Sequence, residues 1–261
     1  MCPPISPHVI DPATERWIVA DPRPGQRRVR LILLPHAGGG ANTYRLWPAM
    51  MPSDMDVRPV QLPGRERRFS EPPIARMEAL LDVLVPALLP LLDLPVALFG
   101  HSMGACIAHA LALRLGDLGL PQPFLLIASG REAPHLSRRQ PSLHTLAEPD
   151  FLDGLRRLNG TPPEVLENRE LLDLVLPMLR ADFNLVGEYR PAPGRLTCPI
   201  VVLGGETDAE TTPEGLAAWS ASTTAATRVA MLQGGHFFPD TARVAVVAQV
   251  TAALHQYGRD G

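Results

Sequence analysis

No lysine occurs in the 261-residue sequence; all 24 basic residues are arginine. Both side chains solubilise, so the absence reads as a coding bias rather than a mechanism. Cysteine is scarce. Cys2, Cys106 and Cys198 share no metal-ligand spacing and form no disulfide framework, which points to a reduced, cytoplasmic setting. No charge of one sign dominates. A formal net charge of −3 favours neither nucleic acid nor an anionic membrane surface. A membrane span needs about 20 unbroken apolar residues. The most apolar stretch, 79–99, is interrupted by Asp82, Asp93 and three prolines, and reads as a buried helix, a turn and a strand. The first twelve residues carry prolines where a signal peptide would be apolar.

What is present is a chain 46% hydrophobic, enough for one substantial core over residues 1–261. Its 29 prolines are scattered among long apolar runs, so the low hydrophobicity of disorder is missing. Residues 29–34 (VRLILL), 95–99 (PVALF), 124–128 (FLLIA) and 200–203 (IVVL) are short continuous apolar runs, the pattern of parallel strands buried on both faces. Residues 56–60 and 228–232 are weaker strand candidates, and 17–20 could be a short edge strand. Helical patterns fall at 44–50, 74–89, 105–115 and 244–257. Strand, loop and helix alternate, which predicts a mostly parallel sheet with helices on both faces. Ligands bind at the strand C-terminal edge of such sheets. About 70 residues separate 128 from 200, too many for a simple crossover. Helical patterns at 146–158 and 171–188 make this interval, approximately 131–195, a candidate lid over the active edge.

Gly100-His101-Ser102-Met103-Gly104 lies between an apolar strand and an alanine-rich helix. That context defines a nucleophile elbow, in which a strained turn lifts a serine oxygen above the sheet. A serine needs a base, and the base needs an orienting acid. The α/β-hydrolase fold supplies them in the order serine, acid, histidine. Of the downstream histidines, His109 lies in the helix after the elbow, His135 and His144 in the insertion, and His255 near the chain end. His236 alone follows a strand directly, in Gly234-Gly235-His236-Phe237-Phe238. Glu206, Asp208 and Glu210 all follow the strand at 200–203, and Asp208 is the favoured acid. Asp208 could instead form an Asx turn or cap the helix that begins near Pro213. Asp240 is a weaker rival, too near His236 in the chain. The oxyanion hole needs two backbone donors. The Met103 amide follows the nucleophile, and Ala37 in the loop after the first central strand supplies the second. Gly38 and Gly39 let backbone approach closely there. A phosphate loop is excluded because no GK[ST] follows and the spacing is not GxGxxG. The Met103 side chain reads as packing or pocket lining.

Leu34-Pro35-His36-Ala37-Gly38-Gly39-Gly40, Gln61-Leu62-Pro63-Gly64-Arg65-Glu66, the GHSMG elbow, Arg180-Ala181-Asp182-Phe183 and Gly234-Gly235-His236-Phe237-Phe238 span nearly the whole chain. Together they resemble the stand-alone type II thioesterases of polyketide and nonribosomal peptide assembly lines. The resemblance implies an α/β-hydrolase fold with a helical lid, and hydrolysis of acyl groups from the phosphopantetheine arm of an acyl or peptidyl carrier protein. It implies Ser102, Asp208 and His236 as triad, Ala37 and Met103 as oxyanion donors, and no bound cofactor or metal. His36 departs from the tyrosine or other aromatic that related sequences often show there. His36 and Phe237, with Gly38 and Gly39, are expected in the pocket or its supporting loop.

Competing readings are a small-molecule carboxylesterase or lipase, a product-releasing thioesterase and, far behind, a non-catalytic binding scaffold. Carrier proteins of this kind present acidic helices, so Arg65, Arg67, Arg68, Arg138 and Arg139 are candidates for a docking patch.

Overall fold

Apolar runs without alternation become strands buried on both faces. In the computed structural model, which describes residues 12–136 and 143–258, six parallel strands form one sheet. In chain order the elements are α1 (Pro12–Trp17), β1 (Val29–Leu34), α2 (Trp47–Met50), β2 (Met55–Pro59), α3 (Met77–Leu88), β3 (Val96–His101), α4 (Met103–Asp117) and β4 (Leu125–Ser129). They continue with α5 (Glu148–Leu158), α6 (Pro163–Glu167), α7 (Arg169–Glu188), β5 (Ile200–Gly205), α8 (Pro213–Ala217), β6 (Thr227–Leu232), α9 (Phe238–Thr241) and α10 (Arg243–Tyr257). The spatial order is β2-β1-β3-β4-β5-β6. The chain runs outward from β1 to β2, then crosses back to β3. Loops leaving β1 and β3 therefore diverge, and a crevice opens at the C-terminal edge between them.

Side chains alternate between two cores. Ile32, Leu98, Leu126 and Val202 face α3 and α4. Leu33, Phe99, Ile127 and Leu203 face Trp47 and helix α10, where Val246, Val250 and Leu254 are buried. At about 25 cal/mol per Å², burying each such side chain contributes roughly 1.5–3 kcal/mol. Strand β6 is the half-buried edge, with Val229 and Met231 exposed.

Helices α5, α6 and α7 occupy the interval between β4 and β5 and carry a small core of their own around Phe151, Leu155, Leu172, Leu176 and Leu179. Asn168 caps α7, its side chain accepting from the amides of Glu170 and Leu171 at 3.0 and 3.1 Å. No helix among the described residues is long and apolar enough to cross a membrane.

The expectation at 17–20 is corrected. The chain there ends helix α1 and makes one antiparallel bridge, Ile18 to Val60. Pro12 sits at the first helical position, where its missing N–H costs nothing. Trp17 is buried beneath the guanidinium of Arg68, 3.9 Å from the ring centroid, and two backbone hydrogen bonds, Gln61 N–H to Trp17 O at 2.7 Å and Val19 N–H to Pro59 O at 2.9 Å, hold the bridge. The helix expected at 44–50 shortens to α2 after a single tight turn at Ala41–Tyr44.

Candidate active site

Strand β3 ends at His101 and helix α4 begins at Met103, so Ser102 alone makes the turn. Its φ of 54° and ψ of −109° lie where a β-carbon is crowded. Two hydrogen bonds hold it: the Ser102 amide donates to Ser129 O at 2.8 Å, and the Ala105 amide donates to Ser102 O at 3.1 Å. The flanking glycines are steric necessities. A β-carbon on Gly100 would lie 2.0 Å from Gly104 O, and one on Gly104 would lie 2.1 Å from Leu34 O.

Ser102 Oγ lies 3.0 Å from His236 Nε2. His236 Nδ1 lies 3.0 and 3.2 Å from the two carboxylate oxygens of Asp208. A carboxylate only accepts, so Nδ1 carries the proton and Nε2 is free to accept from the serine hydroxyl. The Asp208 side chain is fully buried and also accepts from the Glu210 amide at 2.9 Å. The Asx turn weighed for Asp208 is therefore present, and it fixes the carboxylate that faces His236. Thr212, not Asp208, caps α8. Asp240 pairs instead with Arg243 at 3.2 Å.

His101 and His36 surround this series. The ring of His101 lies 5.1 Å from that of His236, and its Nδ1 is 3.0 Å from Ser129 Oγ. Burial holds His101 well below the usual imidazole range, and burial also lowers His36. Both are thus neutral and leave the negative charge of Asp208 to His236. Phe237 packs edge-on against His36 at 5.1 Å and reaches Gly160 in the insertion, where a β-carbon would meet its ring at 2.3 Å.

The loop after β1 passes beside the serine. Gly38 has φ +80°, and its amide donates to Asp182 Oδ2 at 2.8 Å. The Gly39 amide donates to His36 O at 3.0 Å. Among the described residues, the amides of Ala37 and Met103 have no protein acceptor. A cavity of about 710 Å³ opens above Ser102 and His236. Ala37, Met103 and Cys106 line its floor, and Leu155, Phe183 and Val186 of the insertion line its roof. No group of three or more His, Cys, Asp or Glu side chains among the described residues could hold a metal ion.

The arginine patch is corrected at Arg65 and Arg68. Arg65 is buried and forms a two-pronged bond to Asp182, at 2.6 and 2.7 Å. Arg68 is buried against Trp17 and pairs with Glu71 at 2.7 Å. Neither can present charge to a partner. Arg67 bonds the Glu15 and Arg16 carbonyls, and Arg138 and Arg139 lie outside the described residues. The sequence offers Arg65 as a docking-patch candidate and Asp182 only within a family motif, and does not point to the two as partners. Their signal was a charged residue on the apolar face of α7, one turn from Leu179 and Leu185.

A parallel sheet, a strained serine at the turn after β3, and an imidazole and carboxylate delivered from the ends of β6 and β5 define a serine hydrolase of the α/β-hydrolase fold. Within that class the chain belongs to the thioesterase family: the thioesterase-domain family matches residues 29–254. It is 39% identical over 246 residues to linear gramicidin dehydrogenase LgrE of Brevibacillus parabrevis, covering 93% of this chain and 94% of that one. It is 36% identical over 224 residues to the gramicidin S biosynthesis protein GrsT of Aneurinibacillus migulanus, covering 85% and 88%. The type II thioesterase BorB from the borrelidin biosynthetic cluster superposes with a TM-score of 0.82 at 36% identity, over 91% of this chain and 97% of that one.

Proposed function

We propose that this protein is an editing thioesterase, hydrolysing acyl groups from the phosphopantetheine arm of acyl or peptidyl carrier proteins in polyketide or nonribosomal peptide synthesis. The observation that carries the reading is the Ser102–His236–Asp208 hydrogen-bonded series opening on a roofed cavity large enough for an acyl chain. Similarity to GrsT, a gramicidin S biosynthesis protein, and to the type II thioesterase BorB supports this substrate class.

In this reading His236 accepts the Ser102 proton as Ser102 Oγ attacks the thioester carbonyl. Asp208 holds the tautomer and stabilises the imidazolium. The oxyanion rests on the amides of Ala37 and Met103. His236 protonates the departing pantetheine thiol, then activates a water that releases the acid and restores Ser102. Helices α5 to α7 act as a lid, shielding the acyl chain while the thiol end remains at the surface. His36 and Phe237 brace the His236 loop rather than move protons. The word dehydrogenase in the name of LgrE is not carried over: the glycines after β1 continue as Ala41-Asn42-Thr43, not as a dinucleotide fingerprint.

A small-molecule esterase would use the same three side chains, so substrate competition separates the readings. Acetyl-, propionyl- and longer acyl-carrier proteins are offered beside the corresponding p-nitrophenyl esters. Faster release from the carrier, lost by about 10⁶-fold in kcat on Ser102→Ala, supports the proposal. Ester hydrolysis with inert acyl-carrier substrates would favour the carboxylesterase.

A further inference from the structure

The sequence motifs around Arg65 and Asp182 have no part in proton transfer, yet the fold brings them together beneath the glycine loop. Helix α7 presents Leu179 and Asp182, one turn apart, to that loop. Leu179 Cδ2 would lie 3.0 Å from a β-carbon at Gly38. Asp182 Oδ2 accepts from the Gly38 amide at 2.8 Å and from Arg65 Nη1 at 2.6 Å, while Oδ1 accepts from Arg65 Nη2 at 2.7 Å. Arg65 Nη1 also donates to Gly39 O at 3.1 Å. The two side chains are 5% and 2% exposed. The Arg65 backbone is itself held, its carbonyl accepting from Gln61 Nε2 at 3.1 Å. The neighbouring Glu66 accepts from the Asn42 amide at 3.1 Å on the far side of the same loop.

We propose that Asp182 and Arg65 are positioning residues for the oxyanion loop. The inference rests on the assignment of Ala37 as an oxyanion donor. The next peptide unit contains the Gly38 amide, and Asp182 fixes that amide in a left-handed conformation that only glycine adopts freely. With the Gly38 amide tied to Asp182 and the Gly39 amide tied to His36 O, the loop is held while the Ala37 amide stays open to a developing charge. A buried ion pair adds little stability over apolar side chains of similar volume, so stability alone is a weak reason for this one. The same carboxylate sits on a roof helix of the cavity. Seating of α7 and alignment of the oxyanion loop are therefore one event.

Two variants test this. Asp182→Asn keeps the volume and weakens the grip on Gly38 and Arg65. Arg65→Met with Asp182→Leu removes both charges, so that no unpaired ion is left buried. Active sites are counted with a fluorophosphonate. kcat per labelled serine is then measured on a small acyl thioester and on p-nitrophenyl acetate, beside the affinity of an alkyl boronic acid whose tetrahedral adduct needs the oxyanion donors. Losing a whole donor costs about 10²–10³ in kcat, so a displaced one is expected to cost about tenfold or more. kcat per site and boronic-acid affinity should fall together, with KM within about threefold. A pair that only holds the fold together would lower Tm and the labelled fraction but leave both per-site values alone. Per-site kcat within about twofold of the parent, in whichever variant folds, overturns the proposal. The oxygen ester keeps this test separate from the carrier reading. A parent that cleaves the ester but no acyl-carrier protein refutes the carrier reading alone.

Discussion

Ser102 occupies a backbone conformation that few side chains tolerate, and two glycines and two hydrogen bonds keep it there. Its neighbour His236 is useful only in one tautomer, which Asp208 selects by accepting from Nδ1. Asp208→Asn preserves shape but lets the ring turn its proton toward the serine. kcat on an acyl thioester is expected to fall about 10⁴-fold with Tm close to the parent's. A fall of less than about tenfold would show that another group orients His236. These residues were legible because each signal is local: a glycine-flanked serine between strand and helix, and a histidine just past a strand. Glu206, Asp208 and Glu210 share the same local signal after β5, and it is the fold that brings Asp208 to His236. Arg65 and Asp182 were not legible as partners. They lie 117 positions apart, and no period in the sequence joins a loop arginine to a helical aspartate at that distance.

At the scale of elements, α4 links the nucleophile to the roof. Its residue His109 lies with Nδ1 3.2 Å from Tyr189 Oη, just beyond the end of α7, and edge-on to Trp219. Burial, with a smaller contribution from His135, pushes His109 down from 6.5 to about 4. Burial raises Tyr189, so it stays a neutral phenol. The folded protein therefore resists protonating His109, whereas the unfolded chain protonates it near 6.5. Its contribution is complete above pH 6.5 and is lost as pH falls from there toward about 4, a change of roughly 3 kcal/mol. Burial of His36 and His101 acts in the same direction. Urea unfolding at pH 7 and pH 4.5 should show a smaller acid loss in His109→Gln than in the parent, and equal losses would remove this account. Element boundaries themselves were largely readable from apolar runs. At 17–20 the apolar run is short enough to suit a strand or a helix turn equally: helix α1 takes Trp17, and only the bridge of Ile18 to Val60 remains of the edge pairing.

At the scale of the molecule, strand order does the assembly. Reversal of direction at β1 opens a crevice beside β3, the loops of β5 and β6 reach in from the other side, and α5 to α7 roof the result. A parallel sheet and its active edge follow from alternating strands and helices, so both could be anticipated. The seating of the roof on the glycine loop, through Asp182, depends on tertiary contacts that no local pattern encodes. The central claim is that this edge delivers an acyl group to one oxygen. Rapid quenching of the protein with a slowly hydrolysed acyl thioester, followed by peptide mass spectrometry, tests it most directly. The acyl mass should appear on Ser102 of the parent and be absent from folded Ser102→Ala. An acyl group found on another residue, or turnover by Ser102→Ala at the parent's rate, would contradict the account.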